Sequence, residues 1–161
     1  MKKMGFGGGC HWCTEAVFQS LRGVENVEQG WIASTSPHES FSEAVIVHFK
    51  DDITPETLIE VHLLTHSSTS RHSLRGKYRS AVYYFDEEDK EAIEDKILQL
   101  SEAHHTAYIT QALPFAQFKS NIEQQLNYYQ KHRQAPFCRT YIDPKLKAIR
   151  EKFGPHSRKD F

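Results

Sequence analysis

A chain of 161 residues, 39% hydrophobic and 12% aromatic, is long enough to bury one core, and residues 1–161 are expected to form a single domain. Its 20 Lys and Arg balance 21 Asp and Glu, which removes the electrostatic argument for nucleic acid or an anionic membrane surface as a partner. No apolar run reaches the length of a signal peptide or a membrane span, so a soluble cytosolic protein, most simply a monomer, is expected.

In chain order, Met1 to Gly9 reads as a short strand, and CHWCTEAVFQSLRG as a helix stopped by Gly23, with Cys10, Cys13, Val17 and Leu21 on one stripe. VENVEQGWIA and SEAVIVHF are two strands separated by the turn-rich STSPHESF. In DDITPETLIEVHLLTH, Thr54 is a helix cap and Pro55 takes the first helical position, with Leu58, Val61 and Leu64 or Thr65 facing inward. A polar loop over 67–77 leads into the strand YRSAVYYF, and Asp86 opens a helix with Ile93, Ile97 and Leu100 at helical spacing. AYITQALP is a further strand, SNIEQQLNYYQKH a helix, and DPKLKAIREKF a last helix capped by Asp143. The first six elements fit an α+β fold, a ferredoxin-like split β-α-β two-layer sandwich, with extra C-terminal helices.

The stretch GGGCHWCTE carries the chemistry. Three glycines make a tight strand-to-helix turn, and they place Cys10 at the first turn of the helix. Unpaired amides and the positive end of the helix dipole favour thiolate there, and the thiolate is the nucleophile. Three cysteines, Cys10, Cys13 and Cys138, are an odd number without an export signal, so catalytic, redox or inert buried thiols are expected rather than a disulfide framework. His62 and His66 lie four apart as two metal ligands do, but no further ligand pattern accompanies them, and a surface or packing role is the simpler expectation. No metal site is expected.

These residues are similar to the peptide methionine sulfoxide reductases of type A. That family carries Gly-Cys-Phe-Trp at the start of its first helix, a Glu five residues after the Cys, a His-Ala-Glu leading into a strand, and a Tyr-Arg-Ser opening a later one. Here stand Gly9-Cys10-His11-Trp12, Glu15, Ser42-Glu43-Ala44-Val45 and Tyr78-Arg79-Ser80. The resemblance spans about residues 1–150. Four positions depart from it: His11 replaces a Phe, Trp31 a Tyr, Ser73 an Asp, and Gln125 the C-terminal His.

The resemblance implies reduction of methionine S-sulfoxide, free or peptide-bound, and repair of oxidised proteins. Reducing a sulfoxide requires a nucleophile at sulfur and a proton for oxygen. Cys10 is the implied nucleophile, Glu43 the proton donor, and Tyr78 a hydroxyl donor to the same oxygen. His11, Trp12 and Trp31 are the implied substrate contacts, while Glu15 and Arg79 are expected to hold structure as a helix-surface charge or an ion pair. The Cys10 sulfenic acid then condenses with a second thiol. Cys13 is in reach as a Cys-x-x-Cys partner, but the family's C-terminal recycling cysteine favours Cys138, in an apparently mobile loop. Thioredoxin is the implied reductant and no other cofactor is needed.

Two rival readings use the same residues. Cys10-x-x-Cys13 after a strand also fits a thioredoxin- or glutaredoxin-like disulfide oxidoreductase, although two adjacent strands follow where that fold sends a parallel one. The departures at Ser73 and Gln125 fit a methionine-binding homologue weakened in catalysis.

Overall fold

The glycines of the first segment lie inside a strand before they form a turn. A computed structural model describes residues 2–70 and 73–161, Ser73 and Leu74 by their backbone only. Strand β1 (Lys2–Gly7) pairs antiparallel with β3 (Ser42–Phe49) on one side and with β4 (Ala81–Tyr84) on the other. Met4 and Phe6 face the main core, and Gly5 faces away from it. A Cβ on Gly5 would fall 2.8 Å from Ile32 Cδ1 and 2.9 Å from Tyr83 Cβ, so these two side chains occupy the space that the glycine leaves.

Strand β2 (Val24–Ala33) pairs antiparallel with β3 and completes the order β4-β1-β3-β2, which is the split β-α-β core expected from the sequence. Two further strands extend it. β5 (Gln111–Pro114) adds parallel to β4, and β6 (Gln117–Ser120) adds antiparallel to β2, giving the six-stranded order β5-β4-β1-β3-β2-β6. The alternating side chains divide accordingly. Phe6, Val45, Val47 and Val82 pack under helices α1 (His11–Gln19), α2 (Pro55–Thr65) and α3 (Asp89–Ala103), while Ile32, Ala44, Ile46, Ala81, Tyr83 and Leu113 form a smaller cluster on the reverse face.

Helix α1 is buried on nearly every side, because the chain's C-terminal part covers the face that the sheet does not. That part holds α4 (Tyr128–Lys131), a π-helical turn over Cys138–Ile142, and α5 (Asp143–Lys152) running on from it. Arg158 pins its end, with Nε donating to the Leu21 carbonyl at 3.1 Å and Nη2 to that of Val24 at 2.6 Å.

Several expectations need correction. Helix α1 ends at Gln19, before Leu21 and Gly23, because Leu21 instead bridges to Ser157. In α2 the buried positions are Leu58, Ile59, Val61, His62 and Leu63, and Leu64 is only half-buried. The helix expected over 120–132 is broken into a 3₁₀ turn (Glu123–Gln125) and the single turn of α4, with Asn127 left-handed between them at φ 54°. Asp143 does not cap α5; its Oδ1 accepts the Tyr129 hydroxyl at 2.7 Å. Strand β6 was not expected at all. Of the polar loop before β4, Arg71 and His72 lie outside the described residues, as does the side chain of Ser73.

Candidate active site

Beyond β1 the chain turns through Gly8 and Gly9 into Cys10. Gly8 has φ 156°, and a Cβ on it would fall 2.4 Å from the His66 ring; nothing lies within 4 Å of the corresponding position on Gly9. One glycine is thus required by a neighbour, and the next leaves an open approach to the sulfur. Cys10 is the N-cap of α1 rather than a residue of its first turn, with φ −59° and ψ 129°.

The surroundings of the Cys10 sulfur push its thiol below the ordinary value. The Cys13 S–H donates to it, and the amides of Trp12 and Cys13 add to that, against burial and the charge of Glu43, which oppose ionisation. The Cys13 thiol is correspondingly pushed up, first by this hydrogen bond and then by burial. Cys10, Cys13 and Tyr78 line a cleft of about 320 Å³, together with Val17 and Phe137.

Three cationic or imidazole groups that sequence reasoning left without a role also line this cleft or its rim. Lys145 of α5 lines it and donates to the Thr65 carbonyl. Burial pushes its ammonium down, while the neighbouring Cys13 and Cys10 sulfurs oppose that shift. His62 and His66 stack with ring centroids 4.1 Å apart. His62 Nε2 donates to the Gly7 carbonyl at 2.8 Å, and His66 Nδ1 donates to the His62 carbonyl at 2.5 Å, leaving His66 Nε2 to accept from Ser80 Oγ at 2.8 Å. Burial keeps both rings neutral, His62 well below its ordinary value and His66 at about 4. Their i, i+4 spacing serves packing, as expected. The carbonyls of Gly8 and Tyr78 are tied together by Arg75 Nη1, at 2.8 Å from each.

Glu43 lies on the other side of the same turn. Its carboxylate Oε1 accepts the backbone N–H of His11 at 3.2 Å and stands 3.5 Å from His11 Nε2, while Lys77 Nζ is 3.6 Å from Oε2. β-Register sets Trp31 directly opposite Glu43, and the Trp31 ring meets the His11 ring edge-on at 5.1 Å. His11 therefore turns to Glu43 and Trp31 rather than into the Cys10 cleft. Lys77 links the two sides, since its ammonium also lies 5.1 Å from the Tyr78 ring centroid.

The remaining candidates are placed differently from expectation. Trp12 stacks face to face on Tyr128, with centroids 3.9 Å apart, and meets Phe137 edge-on; it does not line the cleft. Cys138 is in the π-helical turn rather than in a mobile loop, and is fully buried. Burial pushes its thiol up. Glu15 is no surface charge: it is buried and accepts the amides of Asn127 and Tyr128 at 2.9 and 3.0 Å, which sets Tyr128 against Trp12. Arg79 makes no ion pair among the described contacts; it donates to the Ile32 and Ser40 carbonyls and to the Tyr83 hydroxyl. Gln125 offers its carbonyl to Gln29 Nε2 at 2.9 Å.

A cysteine at a helix N-cap with its thiol pushed toward ionisation, a second thiol one turn on and a buried carboxyl group behind the same turn define a thiol-dependent reductase on a split β-α-β sheet. The family model described as peptide methionine sulfoxide reductase matches residues 2–157. The peptide methionine sulfoxide reductase MsrA of Acinetobacter baumannii strain AYE is 33% identical, covering 95% of this chain and 96% of its own. Among solved structures, Mxr1 from Saccharomyces cerevisiae in reduced form superposes with a TM-score of 0.74 at 18% identity, over 87% of this chain and 90% of its own. The same yeast protein in complex with Trx2 superposes at 0.62 and 18%, over 76% of this chain and 82% of its own. The two yeast structures bear on the fold. The chain belongs to the peptide methionine sulfoxide reductase family, and its reaction is the reduction of methionine sulfoxide to methionine.

Proposed function

We propose that the reduction runs through Cys10 as nucleophile and Glu43 as proton donor, with Tyr78 at the mouth of the cleft hydrogen-bonding the sulfoxide oxygen. The carrying observation is the placement of Cys10 at the N-cap of α1, where it lines one cleft with Cys13 and Tyr78 and where the neighbouring Cys13 thiol pushes the Cys10 thiol down. The sulfoxide oxygen passes to Cys10 as a sulfenic acid and methionine leaves. The Cys13 thiol then attacks the Cys10 sulfur, its proton departing with the oxygen as water. An N-cap residue with extended ψ is free of helical side-chain geometry, which eases the convergence that a disulfide across one helical turn requires. Cys138 serves a later exchange, because its buried turn must open before its sulfur is reached.

Two thiols supply both electrons, so no bound cofactor enters this scheme. A thioredoxin in a cytosolic setting is the reductant that fits three unpaired cysteines, and the yeast relative's complex with Trx2 supports that choice. The substrate is the S-sulfoxide of methionine, in oxidised proteins or free. Consumption of methionine S-sulfoxide with dithiothreitol tests the reading: wild-type protein turns over, and Cys10→Ser loses at least about 10³-fold while keeping its circular dichroism spectrum. Retention of activity by Cys10→Ser removes Cys10 from the mechanism. Reduction of insulin disulfides without sulfoxide turnover would favour the disulfide oxidoreductase instead.

A further inference from the structure

The β1–β4 ladder ends at the pair Gly7 and Ala81. Carried three residues further, the same register would set Cys10 opposite Tyr78, but the chain leaves the sheet at Gly8, whose φ is 156°. Past the last pair, the carbonyls of Gly8 and Tyr78 have no ladder partner. Carbonyl oxygens only accept, so these two cannot hold each other, whereas one nitrogen carrying two hydrogens can hold both. Arg75 Nη1 is that nitrogen, 2.8 Å from each oxygen, and among the described contacts no other side chain binds both. The rest of the guanidinium is committed to the chain leaving α2: Nε donates to the Ser70 carbonyl at 2.8 Å and Nη2 to that of Ser67.

Tyr78 is anchored from the other direction by the start of β3. The Lys77 carbonyl accepts the Glu43 amide and the Ser42 hydroxyl, each at 2.9 Å, and the Arg79 amide donates to Ser42 Oγ at 2.7 Å. The peptides on both sides of Tyr78 are thus fixed to the strand that carries Glu43. What remains to be fixed is the turn that carries Cys10. Gly9 has no neighbour within 4 Å of the place where a Cβ would stand, so at Gly9 the turn has no side-chain packing of its own to keep it in position. Arg75 supplies the tie, through the Gly8 carbonyl.

We propose that Arg75 is a positioning residue for the reduction: its guanidinium fork holds the Tyr78 hydroxyl and the Cys10 sulfur in fixed relation by clamping the backbone carbonyls beside them. The proposal rests on Cys10 and Tyr78 having the roles given above. Arg75 is not among the residues that line the cleft, so it acts through its neighbours and not on the reacting atoms. The planar fork spreads its N–H groups widely enough to reach four carbonyls on three stretches of chain, Gly8, Ser67 with Ser70, and Tyr78. A lysine ammonium, with three hydrogens on one atom, cannot span them. The precision matters because a misplacement of about 1 Å between a nucleophile and the group that orients its substrate costs on the order of 10²-fold in rate.

A double-mutant cycle on the full chain tests this, read as kcat/KM for methionine S-sulfoxide with dithiothreitol. Arg75→Ala is expected to lose about 30-fold in the wild-type background and less than about threefold in Tyr78→Phe, because a displaced hydroxyl and an absent one are equivalent. Alkylation of Cys10 by iodoacetamide does not involve Tyr78 and is expected to change less than about threefold in Arg75→Ala. Arg75→Lys keeps the charge without the fork and is expected to stay about tenfold slow. Equal losses from Arg75→Ala in the two backgrounds, alkylation falling as far as turnover, or full activity of Arg75→Lys would each overturn the clamp while leaving the roles of Cys10 and Tyr78 intact. Full activity of Tyr78→Phe overturns the Tyr78 role instead, and the clamp with it. If Arg75→Ala does not fold, Arg75→Lys carried through the same cycle decides.

Discussion

The two sides of the first turn of α1 differ in chemistry although adjacent residues build them. On one side Cys10, Cys13 and Lys145 line an open cleft whose wall is two neutral, stacked imidazoles. On the other, His11, Glu43 and Trp31 make a closed cluster in which the Glu43 carboxyl oxygen stands 3.5 Å from the His11 ring. Successive residues at a helix start point about 100° apart, so one peptide bond is enough to send sulfur and imidazole to separate surroundings. A single amide joins the two surroundings, the N–H of His11 on the Glu43 carboxylate, so sulfur and carboxyl are separated yet tied through one peptide group.

Removing the proton side while leaving the sulfur side intact is expected to have the largest effect among variants that retain the nucleophile. Glu43→Gln keeps the shape and the His11 amide contact, so turnover should drop about 10²-fold while iodoacetamide still alkylates Cys10. Equal losses of turnover and of alkylation would show that the two sides are not separable.

Disturbing the sulfur side alone comes next. Cys13→Ala removes the neighbouring thiol that pushes Cys10 down, so the Cys10 thiol should titrate higher in rates of alkylation, and thioredoxin-dependent turnover should fall about tenfold or more. Cys138→Ala should leave the first disulfide, seen as a Cys10 to Cys13 linkage by mass spectrometry after one turnover. A Cys10 to Cys138 linkage in wild type, with Cys13→Ala turning over normally, would restore Cys138 as the first partner.

The imidazoles behind the cleft should reveal themselves in stability rather than rate. His66 is held at about 4 by burial, against an ordinary 6.5, so between these values the unfolded chain takes up a proton that the folded one refuses. Stability from this group is complete above pH 6.5 and is lost as pH falls toward 4, by roughly 2–3 kcal/mol. Urea unfolding at pH 7.5 and pH 5 should show a smaller loss in His66→Gln than in wild type. The smallest effect is expected at Lys77, which is exposed and 3.6 Å from Glu43. Lys77→Ala should change kcat/KM less than about threefold, and less still at high salt, when assayed in parallel.

Much of the protein was legible in its residues because the signals were local. The glycine run before Cys10, the alternation in SEAVIVHF and the Thr54-Pro55 start of α2 each state their own conformation: Thr54 Oγ1 accepts the Thr57 amide at 3.1 Å, as capping requires. The split β-α-β order follows from those elements taken in sequence. Cys10, Cys13 and Tyr78, named from motifs, do share a cleft, and Glu43 with Trp31 meets across one strand pair.

What the tertiary structure alone decided is whatever depended on a distant partner. Strand β6 has only four residues, three of them polar, and it forms because its backbone comes close over Gly30, where a Cβ would fall 2.1 Å from the Lys119 carbonyl oxygen. Ile122, Leu126 and Tyr129 carry a helical spacing, yet the chain breaks at Asn127 because the Glu15 carboxylate, 112 residues away, binds the Asn127 amide. The direction of the His11 ring was set in the same way, by the Gly30 carbonyl and by Glu43, which local sequence cannot rank against the neighbouring thiolate. Local patterns fix backbone conformation through sterics and hydrogen bonds a few residues long, whereas the charge state and orientation of a buried side chain are set by the groups that folding brings to it.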